Sequence, residues 1–168
     1  MVKSVTRRGK RAKFDQVILN RRASYDYSLL DQWKVGLVLT GLKTKAARMG
    51  RVSLKGAYVV PRTLDSGAPE LFLVNASFTL QNNVPHGSGQ PATVVDTASV
   101  KLLAKRREIE KIVAARNTGL TIVPLKLLVG GRYVKLIIAL GKGKRVYDKR
   151  VAIKRRDTER SLKRQGVI

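Results

Sequence analysis

The sequence predicts a mainly β protein: a small barrel of short strands with flanking helices and a basic C-terminal tail. Three observations carry this. Short apolar runs are punctuated by glycine along most of the chain, two longer apolar runs are split by Gly130 and Gly131, and the segment from Gly141 to Arg160 crowds basic residues with few apolar ones. Hydrophobic residues form 43% of the 168, enough for one core of ordinary domain size. The expected organisation is a basic, flexible arm over residues 1–15, a β-barrel domain over 16–145 and a basic tail over 146–168.

Gln16 to Leu19 is a short apolar strand, followed by a basic turn at Asn20, Arg21 and Arg22. Tyr27, Leu30, Trp33 or Lys34 and Leu37 recur at helical spacing, so a helix is expected from about Tyr25 to Val35, stopped by Gly36 and anchored in the core by Trp33. From Leu37 to Val60, short alternating segments with Gly41, Gly50 and Gly56 suit bent strands of a barrel. Glu70 to Leu80 reads as one strand, and Gln81 to Pro91, rich in turn formers, as a loop that carries the only histidine, His86.

Lys101 to Arg116 places Leu102, Ile109, Ile112 and Val113 on one stripe with charges opposite, the pattern of an amphipathic helix ended by Asn117 to Gly119. Thr121 to Val129 and Arg132 to Leu140 then form a hairpin about the two glycines, with Pro124 marking an edge or a bulge.

Charge narrows the function. Thirty-five Lys and Arg against 11 Asp and Glu leave a formal net charge of +24, which opposes compaction and favours a polyanion. The absence of cysteine removes disulfides and thiolate zinc sites and suits a reducing compartment. No stretch approaches a membrane span, and the basic N-terminus lacks the apolar run of a secretory signal. That arm is read as adding phosphate contacts, with an organellar transit peptide as the other reading of its composition. RNA is favoured over DNA because no helix-turn-helix or zinc-finger pattern occurs, and within an RNA-binding class the strand pattern suggests an oligonucleotide-binding-fold-like barrel.

Catalysis is not expected. Asp26 with Asp31, or Asp65 with Glu70, are imaginable carboxylates of a metal-dependent nuclease, but their spacing matches no ligand motif. There is no histidine acid–base pair, phosphate-binding glycine loop or cysteine nucleophile, and no metal or cofactor is called for. A structural ribosomal protein or another translation factor with a basic tail is the main alternative to a dedicated RNA carrier.

Several blocks then converge: NRRASYDY at Asn20 to Tyr27, Gly36 with Leu39 and Gly41, KLL at Lys101 to Leu103, EIEKI at Glu108 to Ile112, TIVPLKLL at Thr121 to Leu128, and VKLIIALGKGKRVYDKRVAIKRRDTER to the tail. In this order they resemble the small protein B family, the transfer-messenger-RNA-binding family of bacterial ribosome rescue. The resemblance implies a cytoplasmic bacterial protein, or an organellar descendant, whose barrel binds the tRNA-like domain of that RNA. It implies delivery to the A site of stalled ribosomes, with elongation factor Tu joined indirectly through the charged RNA.

Carried over, Asn20, Leu103 and Lys135 match positions important for the RNA complex. Lys45, Arg48, Lys101, Lys142 and Lys144 are expected phosphate contacts, joined by Arg21, Arg22 and Arg145. Tyr147, Asp148, Lys149 and Arg150, continued by Ile153, Lys154 and Arg156, match the tail motif, implied to enter the decoding centre and the empty messenger channel. The tail is expected to be disordered when free and helical on the ribosome. Two usual carboxylates are replaced by Lys34 and Lys43, while Ala98 and Val100 stand where arginine is usual and Ser77 where histidine is frequent.

Overall fold

A computed structural model describes residues 16–63, 67–86, 90–130, 133–145, 147, 158 and 161, with the side chains of 82–86 and 90–92 left aside. The elements follow as β1 (Gln16–Leu19), α1 (Arg21–Asp26), β2 (Tyr27–Leu37), α2 (Gly41–Arg48), β3 (Val52–Ser53), β4 (Tyr58–Thr63), β5 (Pro69–Val74) and β6 (Ser77–His86). β7 (Gln90–Asp96), β8 (Val100–Leu103), α3 (Arg106–Asn117), β9 (Thr121–Val129) and β10 (Lys135–Gly143) complete them. The mainly β class read from the sequence is the class observed.

Seven strands pair in the order β1-β9-β10-β2-β8-β5-β4, and a further pair, Val59 with Ile122, joins β4 back to β9. The strands from β9 to β4 thus form a ring. β1 and β4 share one edge of β9: β1 takes Lys126 to Val129 and β4 takes Ile122. β3, β6 and β7 form a separate three-stranded sheet. One continuous core fills the ring, with Val35, Leu71, Leu73, Phe78, Ile112, Ile122, Leu127, Leu136 and Ile138 all buried. Ile112 comes from α3, which lies against β5, β9 and β10.

β9 is buried along most of its length because both of its faces are covered. Ile122 and Leu127 both enter the main core, although residues five apart in a regular strand point to opposite faces. A bulge resolves the parity: Ile137 pairs with Lys126 and Ile138 with Pro124, so Leu125 is skipped. The bulge expected at Pro124 is therefore present, inside the sheet rather than on its edge. Val123 and Leu125 face outward and pack with Ala139 and Ala23, which seats α1 on the back of the hairpin.

Five sequence expectations are corrected. Tyr25 to Val35 is not a helix. α1 begins at Arg21, inside the expected turn, and ends at Asp26; along β2, Tyr27 and Leu29 pack on the outer cluster and, past a register shift between Leu29 and Gln32, Trp33 and Val35 turn to the main core. Trp33 does pack against the core, but from a strand. The segment after Leu37 contains a helix, α2, capped by Thr40 Oγ1, which accepts from the Lys43 N–H at 3.4 Å.

Glu70 to Leu80 is two strands, because Asn75 takes a left-handed φ of 59° and donates to the Gly56 carbonyl at 3.1 Å. Of the expected loop from Gln81 to Pro91, the described residues are strand: 81–86 end β6 and 90–91 begin β7. KLL opens no helix: it is strand β8, and α3 starts at Arg106, where the Glu108 carboxylate accepts from the Lys105 N–H at 3.0 Å.

Candidate nucleic-acid interface

Two open grooves hold four of the predicted contact residues, Asn20 and Arg22 in one and Leu103 and Lys135 in the other. The first has a volume of about 520 Å³ and runs between α1 and the turn before β4, lined by Asn20, Arg22, Asp26, Tyr27, Lys55 and Tyr58 among others. Asn20 is the hinge of this groove. Its backbone N–H donates to the Leu125 carbonyl at 2.8 Å and its Nδ2 to the Pro124 carbonyl at 2.9 Å, fixing the start of α1 to the bulge of β9. Arg21 and Arg22 follow on the exposed face, Arg22 bonded to Asp26 at 3.0 Å.

The end of β10 returns to the same place. Gly141 is needed where it passes Tyr27, since a Cβ there would lie 2.9 Å from the tyrosine Cβ. Lys142 is exposed and pairs with Ser28, and the Lys144 Nζ donates to the Ser24 carbonyl at 2.9 Å, among the last carbonyls of α1. Arg145 is exposed beside it in sequence. Asn20, Arg21, Arg22, Lys142 and Lys144 are thus gathered by one short helix and one strand end.

The second groove, about 270 Å³, lies at the other end of β2 and is lined by Gly36, Leu37, Leu39, Thr44, Leu103, Tyr133, Val134 and Lys135. Its floor is a row across three neighbouring strands: Lys135 pairs with Gly36, and Gly36 pairs with Leu103. Two strand spacings set about 10 Å between the outer members. Gly36 keeps the row low, because a Cβ there would sit 3.3 Å from Leu103 Cβ. Leu103 is 54% exposed on the outward face of β8. Tyr133, also exposed, stands beside the row.

Around this groove the cations differ in what holds them. Lys45 and Arg48 are exposed in the last turn of α2. Lys101 is two residues from Leu103 on the outward face of β8, its Nζ 2.6 Å from Glu70 Oε1; Glu70 Oε2 has no hydrogen-bond partner among the described residues. Lys34 is exposed on β2, whereas Lys43 is buried. Its Nζ lies 3.2 Å from Asp96 Oδ2. Asp96 is the carboxyl held below its ordinary range, first by the Ala98 N–H at 2.8 Å and then by Lys43, against the opposing effect of burial.

Sequence reasoning missed Lys55, Tyr58 and Tyr133 as lining residues, and Arg62, whose guanidinium lies 5.2 Å from the Phe72 ring centroid. An exposed tyrosine two residues before Lys135 was the available signal for Tyr133. Tyr147 is 75% exposed and helical. Asp148, Lys149, Arg150, Ile153, Lys154 and Arg156 lie outside the described residues, as does the arm over 1–15. No three of His, Cys, Asp or Glu converge as a metal set among the described residues.

A ring of strands bearing open grooves, exposed tyrosines and clustered cations on so basic a chain defines a nucleic-acid-binding protein. The family model described as "SmpB protein" matches residues 17–167, and the chain belongs to that family. It is 38% identical over 146 residues to the SsrA-binding protein of Trichormus variabilis, covering 86% of this chain and 88% of the relative. The SsrA-binding protein of Streptococcus mutans is 36% identical over 156 residues, covering 92% and 94%. A solved chain described as "tmRNA-SmpB: a journey to the center of the bacterial ribosome" is similar with a TM-score of 0.54 and 32% identity, over 83% of this chain and 95% of that one. Among the described residues no helix is long and apolar enough to cross a membrane.

Proposed function

We propose that this protein binds the tRNA-like domain of transfer-messenger RNA and carries it into the A site of stalled bacterial ribosomes, in the cytoplasm. The observation that carries this reading is the row Lys135–Gly36–Leu103 beside Tyr133. A cation at one end, an exposed apolar side chain at the other and an aromatic face nearby suit a splayed RNA strand, which offers phosphates and unstacked bases together. Lys45 and Arg48 extend the positive field on one side, and Asn20, Arg21, Arg22, Lys101, Lys142, Lys144 and Arg145 add further contacts or hold those that make them.

The protein acts by recognition and makes no bond. Charge supplies attraction through counterion release, and the two grooves supply shape. Tyr147, Asp148, Lys149, Arg150, Ile153, Lys154 and Arg156 are the tail that reaches the decoding centre and the messenger channel, where RNA neutralises its charge. Elongation factor Tu joins through the charged RNA.

Sequencing the RNAs crosslinked to the purified protein tests the reading. Enrichment of one species with a tRNA-like end is the expected result. Uniform recovery of ribosomal RNA contradicts it.

A further inference from the structure

Lys43 is 6% exposed and is the one buried charged residue among the described residues. Its Nζ lies 3.2 Å from Asp96 Oδ2, donates to the Ala98 carbonyl at 3.2 Å and stands 5.4 Å from the centroid of the Phe78 ring. Phe78 is fully buried on β6, and Asp96 and Ala98 lie at and just beyond the end of β7. The ammonium therefore ties the inner face of α2 to the β6–β7 sheet and to the segment that leads into β8.

The β6–β7 sheet does not itself line the second groove, but the tie joins α2 to the segment that leads into β8, and both α2 and β8 contribute to its lining. Thr44, the residue after Lys43, lines it from α2, and Leu103 lines it from β8. We infer that Lys43 is a positioning residue for RNA recognition, which never meets the RNA but fixes the α2 wall of the groove against the β8 wall. The inference rests on the proposal that this groove binds RNA.

A buried ion pair is a weak source of stability, because desolvation of both charges offsets their attraction. Its stronger effect is on geometry, since an ammonium sealed between a carboxylate, a carbonyl and a ring has few alternative positions. An ammonium so enclosed cannot release counterions from RNA, so its loss leaves the salt dependence of binding unchanged. This separates it from Lys45, which is exposed, and from Lys135, which is half-buried in the lining of the groove.

The test uses the full chain and a folded tRNA-like RNA fragment, with Kd measured per folded molecule across a potassium chloride series. Lys43→Met raises Kd severalfold at the wild-type salt slope, whereas Lys135→Met raises Kd and lowers the slope by about 0.7 to 0.9. Asp96→Asn gives a second readout that survives poor folding of Lys43→Met. It removes a negative charge, which by electrostatics alone tightens RNA binding, yet as half of the tie its loss weakens binding at an unchanged slope.

A slope lowered in Lys43→Met as in Lys135→Met puts the ammonium on a phosphate and overturns the inference. Unchanged Kd in both Lys43→Met and Asp96→Asn reduces the pair to stability alone and overturns it as well. Binding by Lys135→Met indistinguishable from wild type removes the groove itself, and the inference falls with it.

Discussion

The Lys144 Nζ donates to the Ser24 carbonyl at 2.9 Å, joining residues 120 apart in sequence. With the Lys144 N–H bonded to the Asp26 carbonyl at 2.9 Å, the strand that begins the basic tail closes the end of α1. A six-residue helix is far below the length at which an isolated helix holds in water, so α1 depends on such ties. Lys144→Met is expected to cost about 1 kcal/mol of stability, the net worth of one hydrogen bond, and to leave the salt slope of RNA binding nearly unchanged. Denaturant unfolding and a salt series check the two parts.

Gly141 makes a harder demand. An alanine Cβ there would lie 2.9 Å from Tyr27 Cβ and 3.2 Å from its Cγ, with Tyr27 already packed against the Ala23 and Val123 cluster. Gly141→Ala is expected to destabilise by about 1 to 3 kcal/mol, as overpacking does. Tyr27→Gly in the same chain, which removes the obstructing Cβ as well as the ring, is expected to make the added alanine less costly; a double-mutant cycle by thermal unfolding measures the coupling.

Glu70 restrains Lys101. With the ammonium 2.6 Å from the carboxylate, a phosphate must compete for it. Glu70→Gln is expected to strengthen RNA binding generally and to steepen its salt slope by up to about 0.9, with unrelated RNA gaining as much as the tRNA-like fragment. Filter binding with the two RNAs across a salt series measures this.

Acidification acts on Asp96. Its carboxyl is lowered by the Ala98 N–H and by Lys43, so the unfolded chain holds the proton more tightly than the folded one. The resulting stability is present above the ordinary aspartate value of about 3.9 and is lost as pH falls through the lower folded value. Asp96→Asn is expected to flatten the pH dependence of thermal stability in that acid window. An unaltered profile excludes a contribution from this pair.

The fold was legible where burial is one-sided or complete. The runs on either side of the two glycines read as a hairpin because β9 and β10 are apolar on both faces, and Pro124 marks its bulge, although β10 begins at Lys135 and not at the expected Arg132 and ends at Gly143 and not at Leu140. β2 was misread because Tyr27, Leu30, Lys34 and Leu37 fit a helix while Tyr27, Leu29, Trp33 and Val35 fit a strand, and only pairing with Lys135 to Gly143 decides between them. The β6–β7 hairpin was hidden by polar residues, which a ribbon outside the main sheet tolerates. In the site, Leu103, Lys135 and Asn20 came from resemblance. The row through Gly36 required strand order, and the engagement of Lys43, Lys101 and Lys144 by Asp96, Glu70 and Ser24 required contacts across 53, 31 and 120 positions that no local pattern contains.

The tail's role separates from that of the ring. Replacing Asp148, Lys149 and Arg150 together by alanine is expected to leave binding to the isolated tRNA-like fragment nearly intact while abolishing peptide tagging on stalled ribosomes. Parallel binding and reconstituted tagging assays check it; equal loss of both contradicts a division of labour.

The most direct test of the central claim is the salt slope of tRNA-like RNA binding by Lys135→Met against wild type. If the row Lys135–Gly36–Leu103 takes the RNA strand, the slope falls by about 0.7 to 0.9, the share of one phosphate contact, together with affinity. An identical slope and Kd would show that the RNA lies elsewhere on the protein.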